Sequence, residues 1–119
     1  MLMKNFEELR IWQKGIDIAA NCYKLTSTFP SHEKFSLVSQ INRAAVSIAA
    51  NIAEGSSRSS EKDYARFIEI ALGSTYELET HLVIARTLNM GDQQLLNKML
   101  DEIQEEQKML TGFINKLKR

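Results

Sequence analysis

Apolar residues recur along this chain at alternating three- and four-residue steps, in long runs broken at three places. That rhythm is the signature of amphipathic helices, and it spans nearly the whole sequence. In the first run Phe6, Leu9, Trp12, Ile16, Ala19 and Tyr23 make one seam, and Ile11, Gly15, Ile18, Cys22, Leu25 and Phe29 a second. The seams lie about 100° apart, giving an apolar face broader than one neighbouring helix requires. Arg10, Lys14, Asp17, Asn21 and Lys24 mark the wet side. In the last run Leu96, Leu100, Ile103, Gln107, Leu110, Ile114 and Leu117 keep a heptad rhythm, widened by Met99, Met109 and Phe113. Heptads are the packing code of bundles and coiled coils.

The interruptions carry helix stop and start signals. Asn5 can cap the first helix while Glu8 reaches back, and the helix must end before Phe29-Pro30. Ser31, with Glu33 in its first turn, is placed to cap the second. Gly55-Ser56-Ser57-Arg58-Ser59 closes it, Ser60 and Asp63 open the third, Asn89-Met90-Gly91 ends that, and Asp92 caps the fourth. The spacing predicts helices over about 6–28, 32–55, 61–89 and 93–117 in one domain. Short connections make sequential helices antiparallel, so the predicted fold is all-α, an up-down-up-down four-helix bundle.

The second helix is unusual. Leu37, Ile41, Ala44, Ile48 and Ile52 form an apolar row with Val38, Ala45 and Ala49 beside it, and Val46, Ala50 and Ala53 occupy further faces. What remains polar is one thin line in helical register: Ser36, Gln40, Arg43, Ser47, Asn51 and Glu54. Either this is the wet stripe of a surface helix, or it is a hydrogen-bonded network within the bundle or at a subunit contact. In the second case Arg43 needs a carboxylate, with Glu77 the first choice and Glu69 and Glu54 behind it.

Composition narrows the function classes. The 119 residues are 44 % hydrophobic and 25 % charged, the proportions of a folded domain, and five glycines with one proline suit long helices. Fifteen basic residues balance fifteen acidic ones, without the excess usual in proteins that live on phosphate contacts. The basic cluster Lys116, Lys118 and Arg119 suits a helix C-terminus. Arg58, Lys62 and Arg66 step by four residues along the third helix and are the nucleic-acid candidates, against ordinary pairing with Glu61, Asp63 and Glu69. The lone Cys22 suits a reducing compartment, the N-terminus lacks the apolar segment of a signal peptide, and no run reaches the roughly 18 apolar residues of a membrane span. The expected compartment is therefore the cytoplasm.

Catalytic constellations are missing from the pattern. Neither His32 nor His81 follows a Glu by three residues, as a carboxylate-bridged metal pair requires, so no metal site is expected. Gly55-Ser56-Ser57 lacks the Gly-Lys-Ser/Thr of a phosphate loop, so no cofactor is expected. Cys22 lies on an apolar seam away from any histidine, and Glu77, Glu79 and His81 are not expected to converge as a threesome, because positions two apart point to different faces.

Residues 40–58, QINRAAVSIAANIAEGSSR, resemble the signature of the four-helix-bundle proteins named after intervening sequences in bacterial 23S ribosomal RNA genes. The resemblance extends to Trp12-Gln13, to the turn from Phe29-Pro30 through Glu33 and Phe35, and to FIEIALGSTYELETHL at residues 67–82. Ser36 and Ala49 stand where that family usually has glycine and proline. The resemblance implies an up-down bundle, often a homopentamer with a central pore, whose biochemical role is not established. Related accessory proteins of diversity-generating retroelements bind a reverse transcriptase and nucleic acid, but those are strongly basic. The expectation is a non-enzymatic, self-associating scaffold or adaptor, with a nucleic-acid- or ribonucleoprotein-binding accessory module as the alternative.

Overall fold

The computed structural model of the protein describes residues 5–118. Arg119 of the basic cluster and the first four residues of the expected non-signal N-terminus lie outside that range. Four α-helices account for most of it: α1 Arg10–Thr26, α2 Leu37–Ser56, α3 Glu61–Thr87 and α4 Gln93–Leu117, with no strand among the described residues. α1 packs on α2 and α4, and α3 packs on α2 and α4, so the pairs α1/α3 and α2/α4 stand on the diagonals of a four-helix bundle. The molecule is a rod of 46 × 22 × 20 Å.

Two helices start later than the spacing predicts. Asn5 does cap, accepting a hydrogen bond from the Glu7 N–H at 3.0 Å, but the helix it opens is a single 3₁₀ turn, Phe6–Glu8. Leu9 is extended (ψ 130°), and the chain folds back. Phe6 meets Trp12 edge-on at 5.4 Å, and the Gln13 amide donates to the Glu7 carbonyl at 2.9 Å. Ser31, by contrast, makes no capping bond: it is the first residue of a 3₁₀ turn, Ser31–Glu33, and α2 begins only at Leu37, after Ser36. The bend is at Ser36 (φ −121°, ψ −98°), whose hydroxyl donates to Glu33 at 2.8 Å. It turns the row of Ile41, Ala44, Ile48 and Ile52 into the core and leaves Phe35 outside, 90 % exposed.

The other punctuation marks act locally, as expected. Ser60 accepts from the Asp63 N–H at 3.1 Å and Asp92 from the Leu95 N–H at 3.1 Å. α3 ends two residues early, at Thr87, because Asn89 takes the left-handed conformation (φ 53°). The N–H groups of Met90 and Asn89 then bond back to Ala85 and Arg86, satisfying the carbonyls of the last turn. Gly91 follows with φ +75°, and a Cβ there would stand 2.5 Å from the Phe29 ring. Only glycine lets this loop close over the end of α1, where the Asp92 N–H also donates to Thr28 at 2.9 Å.

The core is built from Ile18, Leu25, Ile41, Ile48, Ile52, Ile68, Leu78, Leu82, Leu96, Met99, Ile103 and Leu110. The second α1 seam is buried from Ile11 to Phe29. Of the first seam, Phe6, Leu9, Trp12 and Ala19 are half-buried, while Ile16 and Tyr23 are 41 % and 55 % exposed. The surplus apolar face of α1 therefore stays open along the side next to α2.

Candidate interaction surface around helix α2

The polar line of α2 lies on the flank facing α3, and only its middle is covered. Ser47 and Ser74 of α3 share a hydrogen bond of 2.9 Å, and the Asn51 amide donates to the Ser47 hydroxyl at 2.9 Å and the Ser47 carbonyl at 2.8 Å. Ser74 also donates to the Ile70 carbonyl at 3.2 Å. These small side chains let the helices approach and leave few polar groups unpaired.

The ends of the line are wet. Ser36, Gln40, Arg43 and Glu54 are exposed, so within one chain the line is a wet stripe at its ends and a hydrogen-bonded network only in its middle. The Arg43–Glu77 pair does not form inside the chain, and each carboxylate proposed for Arg43 lies nearer another side chain. Glu77 faces His81 at 3.6 Å, Glu69 holds Lys118 at 2.9 Å, and Glu54 holds Arg58 at 2.7 Å. Among the described residues no carboxylate lies within ion-pair distance of Arg43. Glu77 and His81 face each other one turn apart, while Glu79 turns to α4 and receives the amides of Gln104 (3.1 Å) and Gln107 (2.8 Å), so the three side chains do not converge.

Around this line the exposed surface is apolar. The large hydrophobic side chains left exposed among the described residues are Ile16, Tyr23, Phe35, Val46, Ile70, Tyr76, Ile84 and Leu88. All belong to α1, α2, α3 or their connections, and α4 contributes none. Between α1 and α2 a groove is lined by Tyr23, Lys34, Phe35, Val38, Asn42, Arg43 and Val46. Its charged lining is purely cationic, and Lys34 lies 5.5 Å above the Phe35 ring. On the other flank of α2, Ile70, Ile84 and Leu88 share one side of α3 with Glu77.

The basic series at the start of α3 is partly spent. Arg58 is bound to Glu54 and stacks over Phe67 at 4.5 Å. Lys62 and Arg66 remain exposed beside Lys118, which Glu69 neutralises.

One buried titratable residue escaped the sequence reading. Glu106 on α4 is 0 % exposed, and neither carboxylate oxygen has a hydrogen-bond partner among the described residues. Burial pushes its acid up to about 8, the Lys14 cation opposes that rise, and Glu105 adds to it. Lys14 itself is bound to Glu105 at 2.7 Å and holds that exposed carboxyl below its usual range. The signal was present: Met99, Ile103, Glu106, Leu110 and Phe113 form a second seam at four- and three-residue steps beside the heptad through Gln107. Cys22 is fully buried and its thiol is pushed up to about 12 by that burial, which removes the thiolate a nucleophile needs. Among the described residues no three His, Cys, Asp or Glu side chains cluster to hold a metal, and no helix is long and apolar enough to cross a membrane.

The family model described as 23S rRNA-intervening sequence protein matches residues 7–112. A solved structure from Bacteroides thetaiotaomicron, described as a protein with unknown function from the S23 ribosomal protein family, superposes with a TM-score of 0.75 at 26 % identity. That alignment covers 87 % of this chain and 97 % of the other. No curated protein matches the chain.

Proposed function

The chain belongs to the 23S rRNA-intervening sequence protein family, and from that premise we propose that it is a non-enzymatic scaffold or adaptor that assembles with copies of itself in the cytoplasm. One observation carries this reading: among the described residues every large exposed hydrophobic side chain lies off α4, and all but Tyr76, which lines the α3–α4 groove, stand on the two flanks of α2. Apolar side chains left exposed on one side of a molecule mark contact sites when they gather into a patch. Zero net charge removes the self-repulsion that opposes assembly. Among the described residues, Cys22 is buried and protonated and the acidic residues are dispersed, which gives no support to a catalytic reading. Light scattering coupled to gel filtration is expected to give several times 13.6 kDa, with five copies the number the family resemblance implies. A monomer at every concentration overturns the reading.

A second reading, a nucleic-acid- or ribonucleoprotein-binding accessory module, is favoured only by exposed Lys62 and Arg66. A patch with only these two unneutralised cations predicts weak affinity that disappears as salt rises. Binding of labelled RNA and single-stranded DNA at two salt concentrations tests it. Tight, salt-resistant binding by the isolated protein would replace the scaffold reading with this one.

A further inference from the structure

We propose that the groove between α1 and α2 receives the outer face of α3 from a second copy of the chain, with Arg43 pairing to Glu77 and Phe35 seated against Ile84 and Leu88 of that copy. The inference rests on the self-assembly proposed above and specifies the contact that produces it.

The two surfaces differ in kind. The groove offers aromatic and branched side chains, Tyr23, Phe35, Val38 and Val46, with Lys34 and Arg43 as its only charges. The α3 face offers Ile70, Ile84 and Leu88 around Glu77. Cations on one surface and a carboxylate on the other repel like-to-like contact and favour groove-to-face contact. One chain carrying both halves of such a pair makes a heterologous, head-to-tail interface, which closes into a ring when the rotation allows.

Their heights along the bundle also agree. Ser47 touches Ser74, and α2 and α3 run antiparallel. One turn from Ser47 toward the start of α2 is Arg43, and about one turn from Ser74 toward the end of α3 is Glu77. Phe35 lies just before α2, at the end of the rod where α3 finishes with Ile84 and Leu88. Rotation about an axis parallel to the rod keeps each residue at its height. Arg43 of one copy therefore comes level with Glu77 of the next, and Phe35 with Ile84 and Leu88.

Both members of the ion pair are available. Arg43 is exposed with no carboxylate of the described residues in reach, and Glu77, 3.6 Å from His81, keeps acceptor capacity for a guanidinium. The chain thus holds both halves of a bidentate pair that it does not close on itself.

The experiment is a charge exchange read by mass. Wild type, Arg43→Glu, Glu77→Arg and the double variant are compared by light scattering over a dilution series, with circular dichroism to confirm that each folds. Both side chains are exposed, so folding should survive. Each single reversal is expected to raise the concentration of half-dissociation at least tenfold, and the double variant to return most of that loss. Phe35→Ala is expected to weaken assembly by a similar factor. A monomeric wild type overturns the assembly reading and this contact with it. An oligomeric wild type whose single variants keep their mass, or whose double variant stays dissociated, overturns this contact alone.

Discussion

α2 and α4 stand on opposite corners of the same bundle and depart from simple amphipathicity in opposite directions. α2 faces the core with Ile41, Ala44, Ala45, Ile48 and Ile52, and its outer side is still largely uncharged, with Val46 and Ala50 between Arg43 and Glu54. α4 is densely polar outside, with Lys98, Asp101, Glu105, Lys108 and Lys116 exposed, yet it hides Glu106 within. A surplus of apolar surface pointing outward is satisfied by another molecule. A carboxylic acid pointing inward can be satisfied only by staying protonated or by a partner, and it weakens the fold if ionised. On the proposed reading the apolar excess makes α2 the corner for contacts, and the buried acid makes α4 the corner where stability depends on pH.

The largest effect should come from Glu106. Its folded-state acid sits near 8, above the ordinary 4.5 of the unfolded chain. Between those values the native state holds a proton that the unfolded state releases. The stability this group contributes is therefore fully present below about pH 4.5, falls as pH rises, and is gone above about pH 8. Glu106→Leu should raise stability at pH 9 by about 1–4 kcal/mol, the range found when buried ion pairs give way to apolar side chains. Glu106→Gln should flatten the slope between pH 5 and 9. Denaturant melts of wild type and both variants at pH 5, 7 and 9 check this. A wild-type slope that persists in both variants would dissociate Glu106 from the pH response and erase half of the contrast between the corners.

The Ser47–Ser74–Asn51 cluster should come next. Ser74→Ala removes a hydrogen bond across the α2–α3 flank and leaves the half-buried Ser47 hydroxyl with Asn51 alone. About 1 kcal/mol of destabilisation is expected. Because Ser47 and Asn51 share one network, Ser47→Ala with Ser74→Ala should cost less than the sum of the singles. Thermal melts of the three variants decide this, and strict additivity would mean the contact is one of proximity only.

Much of this contrast can be read from residue spacing, and the rest fails for identifiable reasons. The four helices and the caps at Ser60 and Asp92 follow from local patterns, because a cap needs only its own first turn. The late starts of α1 and α2 do not, since the bends at Leu9 and Ser36 serve packing against residues distant in the chain. The six-residue polar line was visible, but its burial depended on how far α3 covers α2. α3 closes only over the small pair Ser47 and Ser74, and the long side chain of Arg43 stays in water. Glu106 went unseen because α4 carries two interleaved apolar paths, and the one through Gln107 has the more regular heptad.

The smallest effect separates the corners most cleanly. In the dissociated chain Arg43 touches no carboxylate, and Lys98 of α4 is exposed in the same way. Exposed side chains without such partners change stability by no more than about 0.5 kcal/mol when truncated. Arg43→Ala and Lys98→Ala should therefore melt alike at a dilution where the protein is monomeric. Raising the concentration should part them, since a contact that binds only the assembled state stabilises by mass action. Wild type and Lys98→Ala should gain melting temperature together, and Arg43→Ala should lag behind. If Arg43→Ala already melts low in the monomer, Arg43 has an intramolecular role that its exposure does not suggest. If the two variants rise in step, α2 is no more an interface than α4, and the distinction drawn from their surfaces fails.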